Sequence, residues 1–99
     1  MSFSEEIIQK VWEKATIVPN YDPNVWRKDH CGAWINRSSH NGKRENPVDY
    51  EWEIDHINPN GGDDISNLRP LQWKNNLAKG EGRLTCAVTS DGNHNVLTQ

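Results

Sequence analysis

The sequence predicts a small α+β domain. Apolar residues recur at helical spacing near the N-terminus, and polar and apolar residues alternate at strand spacing in the middle of the chain. A length of 99 residues allows one domain with one modest core. Five tryptophans add bulk to that core although only 33% of the residues are hydrophobic. We therefore expect residues 1–99 to form a single domain.

An amphipathic helix is predicted at residues 4–15. Its apolar side chains fall on one face of a helix and are Ile7, Ile8, Val11, Trp12 and Ala15. Ser2 and Glu5 have the spacing of a capping box. Core packing explains the stripe, so the helix is given a structural role. Prolines in residues 16–23 then favour an irregular connection.

A short strand is predicted at residues 31–35, and Asn41-Gly42 is a strong turn signal in the polar segment that follows. Residues 50–57 alternate in polarity. Tyr50, Trp52 and Ile54 would lie on one face, with Glu51, Glu53 and Asp55 on the other. This alternation is typical of a strand with one face buried and one face in solvent.

Turn-forming residues then predict a loop over 58–64, a short extended segment over 67–71, and a helix over 72–79 that Gly80 would end. The order is strand, loop, strand and helix, which makes a ββα unit over about residues 50–80. Residues 84–89 and 93–97 flank Asp91-Gly92 and predict a closing hairpin.

Charge is unevenly distributed along a chain whose net charge is −3. Basic stretches at 27–44 and 65–83 flank an acidic stretch at 45–64. A nuclease would use such an order, but an ordinary mixed surface also produces it. No apolar run is long enough to span a membrane, and the first residues lack the basic-then-apolar pattern of a signal peptide, so the cytoplasm is the expected location. The two cysteines are able to pair, but reduced thiols are expected there.

Polar residues at the corners of the ββα unit have the chemistry of a hydrolytic site. Asp55 and His56 end its first strand, Asn67 precedes its second strand, and Asn76 lies in its helix. Phosphodiester hydrolysis needs a base for the attacking water, and imidazole suits neutral pH. A carboxylate with an amide carbonyl suits Mg²⁺. Each residue alone has an ordinary structural explanation, and the combination is what points to function.

Residues 53–79, EIDHINPNGGDDISNLRPLQWKNNLAK, closely resemble the HNH endonuclease family, whose motif folds as a ββα-metal finger. The resemblance implies that Asp55 binds the metal, that His56 activates water and that Asn67 positions His56. Asn76 would be the second metal ligand, where many members have histidine, so this would be an H-N-N variant. The implied cofactor is Mg²⁺, for which Mn²⁺ would substitute.

The chain departs from the many HNH proteins that carry two Cys-x-x-Cys pairs around a structural zinc. Its residues at the corresponding positions are Lys28, Cys31, Gln72 and Asn75. With one thiol among the four, no structural zinc is expected. An aromatic core of Trp34, Trp52 and Trp73 is expected to provide the missing stability.

DNA is the expected partner. The candidate phosphate contacts are Lys79, Arg69 and Lys74 near the motif and Arg37, Lys43 and Arg44 in the preceding loop. We expect nicking with low sequence specificity, because little surface remains for reading bases. A homodimer, or a partner protein that supplies specificity, is left open. The alternatives are a non-catalytic nucleic-acid-binding module with a degenerate site and a ββα domain that binds another protein.

Overall fold

The structure, a computed structural model, describes residues 3–98. These residues contain three antiparallel hairpins and two α-helices. The elements in order are α1 (Glu5–Trp12), β1 (Trp26–Lys28), β2 (Trp34–Asn36), β3 (Trp52–His56), β4 (Leu68–Gln72), α2 (Trp73–Lys79), β5 (Val88–Asp91) and β6 (His94–Leu97). The hairpins are β1–β2, β3–β4 and β5–β6. The predicted α+β class and the closing hairpin are confirmed. The structure adds β1 and starts β2 later than the predicted strand at 31–35.

The N-terminal helix forms as predicted, with a different cap. The Oγ atom of Ser4 accepts a hydrogen bond from the backbone N–H of Ile7 at 3.2 Å. Ser2, which we expected to cap the helix, lies outside the described residues. Ile8, Val11 and Trp12 are buried, and they pack with Trp52 and Leu68 of the β3–β4 hairpin in the main core cluster.

The aromatic core differs from the expectation. Of its three predicted tryptophans, only Trp52 belongs to the main core cluster, where its ring lies 5.5 Å from that of Trp12. Trp34 and Trp73 are buried at other places. The tryptophans therefore support separate parts of the molecule and do not form one cluster.

The middle of the chain has the predicted order of strand, loop, strand and helix. In the β3–β4 hairpin, Asp55 lies opposite Arg69 and His56 opposite Leu68. One feature of β3 was predicted wrongly: its acidic face is covered, because α2 packs on the hairpin. Glu53 and Asp55 are only 7% and 4% exposed, so both carboxylates need partners inside the protein.

A buried carboxylate joins the turn after β1 to the start of α2. Oδ1 of Asp29 accepts hydrogen bonds from the backbone N–H groups of Cys31 and Ala33, each at 2.9 Å. Oδ2 accepts from the backbone N–H of Gln72 at 2.9 Å and from Nδ2 of Asn75 at 3.0 Å. Burial raises the pKa of Asp29, while these hydrogen bonds oppose the rise.

This Asp29 network includes residues 31, 72 and 75, which are three of the four positions that correspond to the Cys-x-x-Cys pairs of many HNH proteins. Asn75 extends it to the C-terminal hairpin, since its side chain accepts from the N–H of Val88 at 2.7 Å and donates to the C=O at 3.0 Å. Gln72 also caps α2 by accepting from the N–H of Lys74 at 2.8 Å. Hydrogen bonds thus fix the orientation of α2 against the hairpins.

The expectation of reduced cysteines is wrong in this structure. Cys31 and Cys86 form a disulfide with their Cα atoms 5.4 Å apart. It ties the turn after β1 to the segment before β5, and closing a loop of this length is worth about 4 kcal/mol by chain entropy. Since disulfides are rare in cytosolic proteins, the bond does not support the cytoplasmic expectation. Neither helix within residues 3–98 is long and apolar enough to cross a membrane.

Candidate active site

A cavity of about 300 Å³ opens between the end of β3, the loop that follows it and α2. Its lining includes Asp55, His56, Asn76 and Lys79. We refer to this candidate site as the catalytic cleft. A neighbouring cavity of about 220 Å³ also has Asn76 in its lining. The cleft thus brings together three of the four core residues predicted from the sequence.

Asp55 lies at the floor of the catalytic cleft between two cations. Its Oδ2 accepts from Nε of Arg69 at 2.9 Å, and its Oδ1 lies 3.2 Å from Nζ of Lys79. Lys79 also donates to the backbone C=O of His56 at 3.1 Å. Two positive partners compensate the cost of burying the Asp55 charge, and they keep the carboxylate fixed.

His56 is about one-third exposed and has an acidic partner that sequence reasoning missed. Its Nε2 lies 2.6 Å from Oδ1 of Asp63 in the loop after β3. When Nε2 donates to this carboxylate, Nδ1 carries the lone pair of the neutral ring. The signal in the sequence was an acid seven residues after His56, within a turn-rich segment that returns toward the strand.

Asn67 holds the loop that follows His56. Its Oδ1 accepts from the N–H of Asn58 at 2.9 Å, and its Nδ2 donates to the C=O groups of Asn58 at 3.1 Å and Gly62 at 2.9 Å. A Cβ at Gly61 would lie 2.6 Å from Nδ2 of Asn67, so this approach requires glycine. Asn67 therefore holds the loop that carries Asp63, and the Asp63 carboxylate is the hydrogen-bond partner of the His56 ring.

Asn76, rather than its neighbour Asn75, faces the catalytic cleft. Asn75 is fully buried in the Asp29 network. The Nδ2 of Asn76 donates to Oε1 of Glu53 at 2.7 Å. The other oxygen of Glu53 forms an ion pair with Arg44. Because Glu53 accepts the hydrogen bond of the amide nitrogen, the amide oxygen of Asn76 is the atom available to bind a ligand in the cleft.

The predicted phosphate contacts fall into two groups. Arg69 and Lys79 face Asp55, Arg44 pairs with Glu53, and Arg37 donates to Gln9 at 2.9 Å. Lys43 is exposed and Lys74 partly exposed. The side chains of the first group already have partners within the protein. Lys79 also borders the cleft, so a phosphate would reach it only there.

One further titratable side chain lines the neighbouring cavity. His40 is half-buried, with its ring 4.7 Å from that of Trp52. Burial, and then the nearby charge of Arg37, lower the pKa of His40, while Glu5 and Glu53 act in the opposite direction. The imidazole therefore favours its neutral form more than a free histidine does.

The oxygen atoms that border the cleft are of the kind that suits magnesium better than a soft metal. Within residues 3–98, no cluster of three or more His, Cys, Asp or Glu side chains is placed to hold a metal. The carboxylate of Asp55 and the amide oxygen of Asn76 border the same cavity. Mg²⁺ accepts such a sparse set of hard ligands, because it keeps several waters and takes further oxygens from phosphate.

No family model matches the chain, and comparisons with curated proteins and with solved structures find no significant match. Its function is therefore inferred from the cleft and from the motif in residues 53–79.

Proposed function

We propose that this protein is a metal-dependent endonuclease of the HNH type, which hydrolyses DNA phosphodiester bonds by nicking with low sequence specificity. One observation carries the proposal: a histidine paired with a carboxylate borders the same cleft as the oxygen ligands Asp55 and Asn76. Asp55 and His56 come from β3, Asp63 comes from the loop that follows it, and Asn76 comes from α2.

His56 is the general base in this proposal. Nδ1 accepts the proton of the attacking water, and the imidazolium that results is stabilised by Asp63 at 2.6 Å from Nε2. Asn67 holds the intervening loop, which fixes the distance between the two groups. A positioned general base contributes about 10²- to 10⁴-fold to rate.

Asp55 and Asn76 would hold the magnesium ion, which supplies positive charge to the phosphate and its leaving oxygen when bound. Glu53 orients the amide of Asn76 for this task. Arg69 and Lys79 balance the charge of Asp55 and hold its carboxylate in place. Lys79 also faces the cleft, where its ammonium adds to the attraction for a phosphate.

A nucleic-acid-binding module without catalysis is the second candidate. Both oxygens of Asp55 already have a cationic partner, and this observation favours a carboxylate that serves the fold alone. A carboxylate still has about four lone-pair positions, so the two cations leave room for a metal.

Cleavage of supercoiled plasmid separates these candidates. Wild type is expected to nick with Mg²⁺ or Mn²⁺ and to be inactive in EDTA, and His56→Ala is expected to lose at least ~100-fold in rate. His94→Ala is the matched control, because His94 is exposed on β6 and should keep full activity. Folded wild-type protein that binds the plasmid but cuts it with neither metal would establish the binding module instead.

A further inference from the structure

A further cavity, about 240 Å³ in volume, lies outside the catalytic cleft and is lined mainly by aromatic rings. Four rings form its walls, and Asn93 contributes a polar edge. The rings belong to Tyr21, Trp26, Trp34 and Tyr50. We call this cavity the aromatic cleft. None of the four residues belongs to the main core cluster, so the core does not account for their arrangement.

The rings meet at steep angles and so enclose a space instead of stacking on one another. Trp26 stands at 86° to Trp34 and at 88° to Tyr50. Tyr21 lies 4.7 Å from Trp34 at 55° and is 40% exposed. Nε1 of Trp34 donates to the C=O of Gly92 at 2.9 Å, which fixes the ring. A flat aromatic ligand therefore finds rigid walls and gains contact at small entropic cost.

Charge around the aromatic cleft selects the kind of ligand. Lys28 is not a lining residue of the aromatic cleft, but its Nζ lies 4.8 Å from the centroid of the Trp34 ring, which is one of the walls. None of the described residues that line the cleft is acidic. The Lys28 ammonium would repel a cationic ligand and would attract an aromatic ligand that carries a negative charge. A nucleotide, with a flat base and a phosphate, has both properties.

We propose that the aromatic cleft binds an unpaired base of the nucleic-acid substrate, with Lys28 near its phosphate. This inference rests on the proposed nuclease function for its choice of ligand. Tyr50 comes five residues before Asp55, so one short stretch of chain joins the aromatic cleft to the catalytic cleft. A base that enters the aromatic cleft has to leave the duplex stack. The protein would therefore prefer single-stranded or locally opened substrate.

The test compares binding of a fluorescently labelled single strand of about 12 nucleotides with binding of its duplex. His56→Ala serves as the parent chain, so that no cleavage disturbs the measurement. Tyr21→Leu removes the most exposed ring, while Tyr21→Phe keeps the ring. Leu77→Ala, a change at a side chain that is 58% exposed on α2, is the surface control.

We expect the parent to bind the single strand more tightly than the duplex and to show quenched tryptophan fluorescence. Tyr21→Leu should weaken single-strand binding by about 5- to 100-fold, with duplex binding unchanged. Tyr21→Phe and Leu77→Ala should bind like the parent. Equal binding by Tyr21→Leu and the parent, or no preference for the single strand, would overturn the inference.

Plasmid cleavage separates this inference from the proposed function. If the original chain cuts plasmid but Tyr21→Leu does not alter single-strand binding, the inference fails and the nuclease stands. If the original chain does not cut but single-strand binding depends on Tyr21, the nuclease fails and the aromatic cleft stands.

Discussion

Asp29 and Asp55 are two carboxylates of almost equal burial, 3% and 4% exposed, with opposite surroundings. Asp29 accepts four hydrogen bonds from uncharged N–H groups and joins the turn after β1 to the start of α2. Asp55 is held by two cations at the floor of an open cavity. Asp29 is therefore bound mainly by backbone N–H groups, whereas Asp55 is bound by two charged side chains.

The difference teaches which buried charge is structural and which is suited to chemistry. Backbone donors cannot leave Asp29 without changing the fold, so its site has one arrangement. The partners of Asp55 are the side chains of Lys79 and Arg69, so under the proposed function its charge would be shared with a metal without a change in the backbone. The predictions below test this contrast, from the largest expected effect to the smallest.

Asp29→Ala should give the largest loss of stability. It leaves two backbone donors in the turn and two donors at the start of α2 without partners, each at a cost of about 1–3 kcal/mol. We expect the free energy of unfolding, measured with urea, to fall by at least ~4 kcal/mol. Asp64→Ala is the control, because Asp64 is exposed and its side chain makes no capping hydrogen bond. A loss below ~1 kcal/mol in Asp29→Ala would refute the structural role.

Asp63→Asn should act on catalysis rather than on stability. The amide no longer stabilises the His56 imidazolium, so we expect the nicking rate to fall by about 10- to 100-fold. Asp64→Asn changes the neighbouring exposed acid and should leave the rate unaltered. If both variants nick at the wild-type rate, Asp63 does not orient the base.

Mg²⁺ without nucleic acid should stabilise the protein only weakly. The charge of Asp55 is already balanced by Arg69 and Lys79, and the phosphate that would add negative charge is missing. In a thermal melt of His56→Ala, we expect Mg²⁺ alone to contribute less than ~1 kcal/mol and Mg²⁺ with DNA to contribute more than the sum of the two alone. Strong stabilisation by the metal alone would mean that Asp55 is not neutralised in solution.

The smallest effect is the pH dependence that Asp29 gives to stability. Burial raises its pKa in the folded state above the value of 3.8 in the unfolded chain. Between those two pKa values the folded state binds more protons, so this contribution to stability is present below 3.8 and is lost as pH rises through the folded pKa. Urea unfolding across this acidic range should show a shallower increase of stability with pH for wild type than for Asp29→Asn. Parallel curves would contradict the raised pKa.

The periodic parts of the fold were predictable from the sequence. The stripe that contains Val11 and Trp12 requires a helix, and the alternation around Trp52 requires a strand. The partners of polar side chains were not predictable, since they come from distant parts of the chain. Asp29 bonds to Asn75 across 46 positions, and no local pattern indicates that distance.

The candidate site shows the same limit. Local spacing and the motif predicted which residues would border the cleft, Asp55 and His56 among them. Lys79 was predicted to contact a phosphate, and its buried contact with Asp55 was not predicted. A lysine on a short helix gives no sign in the sequence that it is buried. Asp63 was passed over because an acid in a turn usually faces solvent.

The bond between Cys31 and Cys86 gives the molecule a particular topology. Every residue assigned to the catalytic cleft falls between these two positions, so the site lies within one covalent ring from which both chain ends emerge. A protease that cuts the exposed loop at 57–64 would open the ring but release no fragment. The two pieces would migrate together on a non-reducing gel and separate only after a thiol is added.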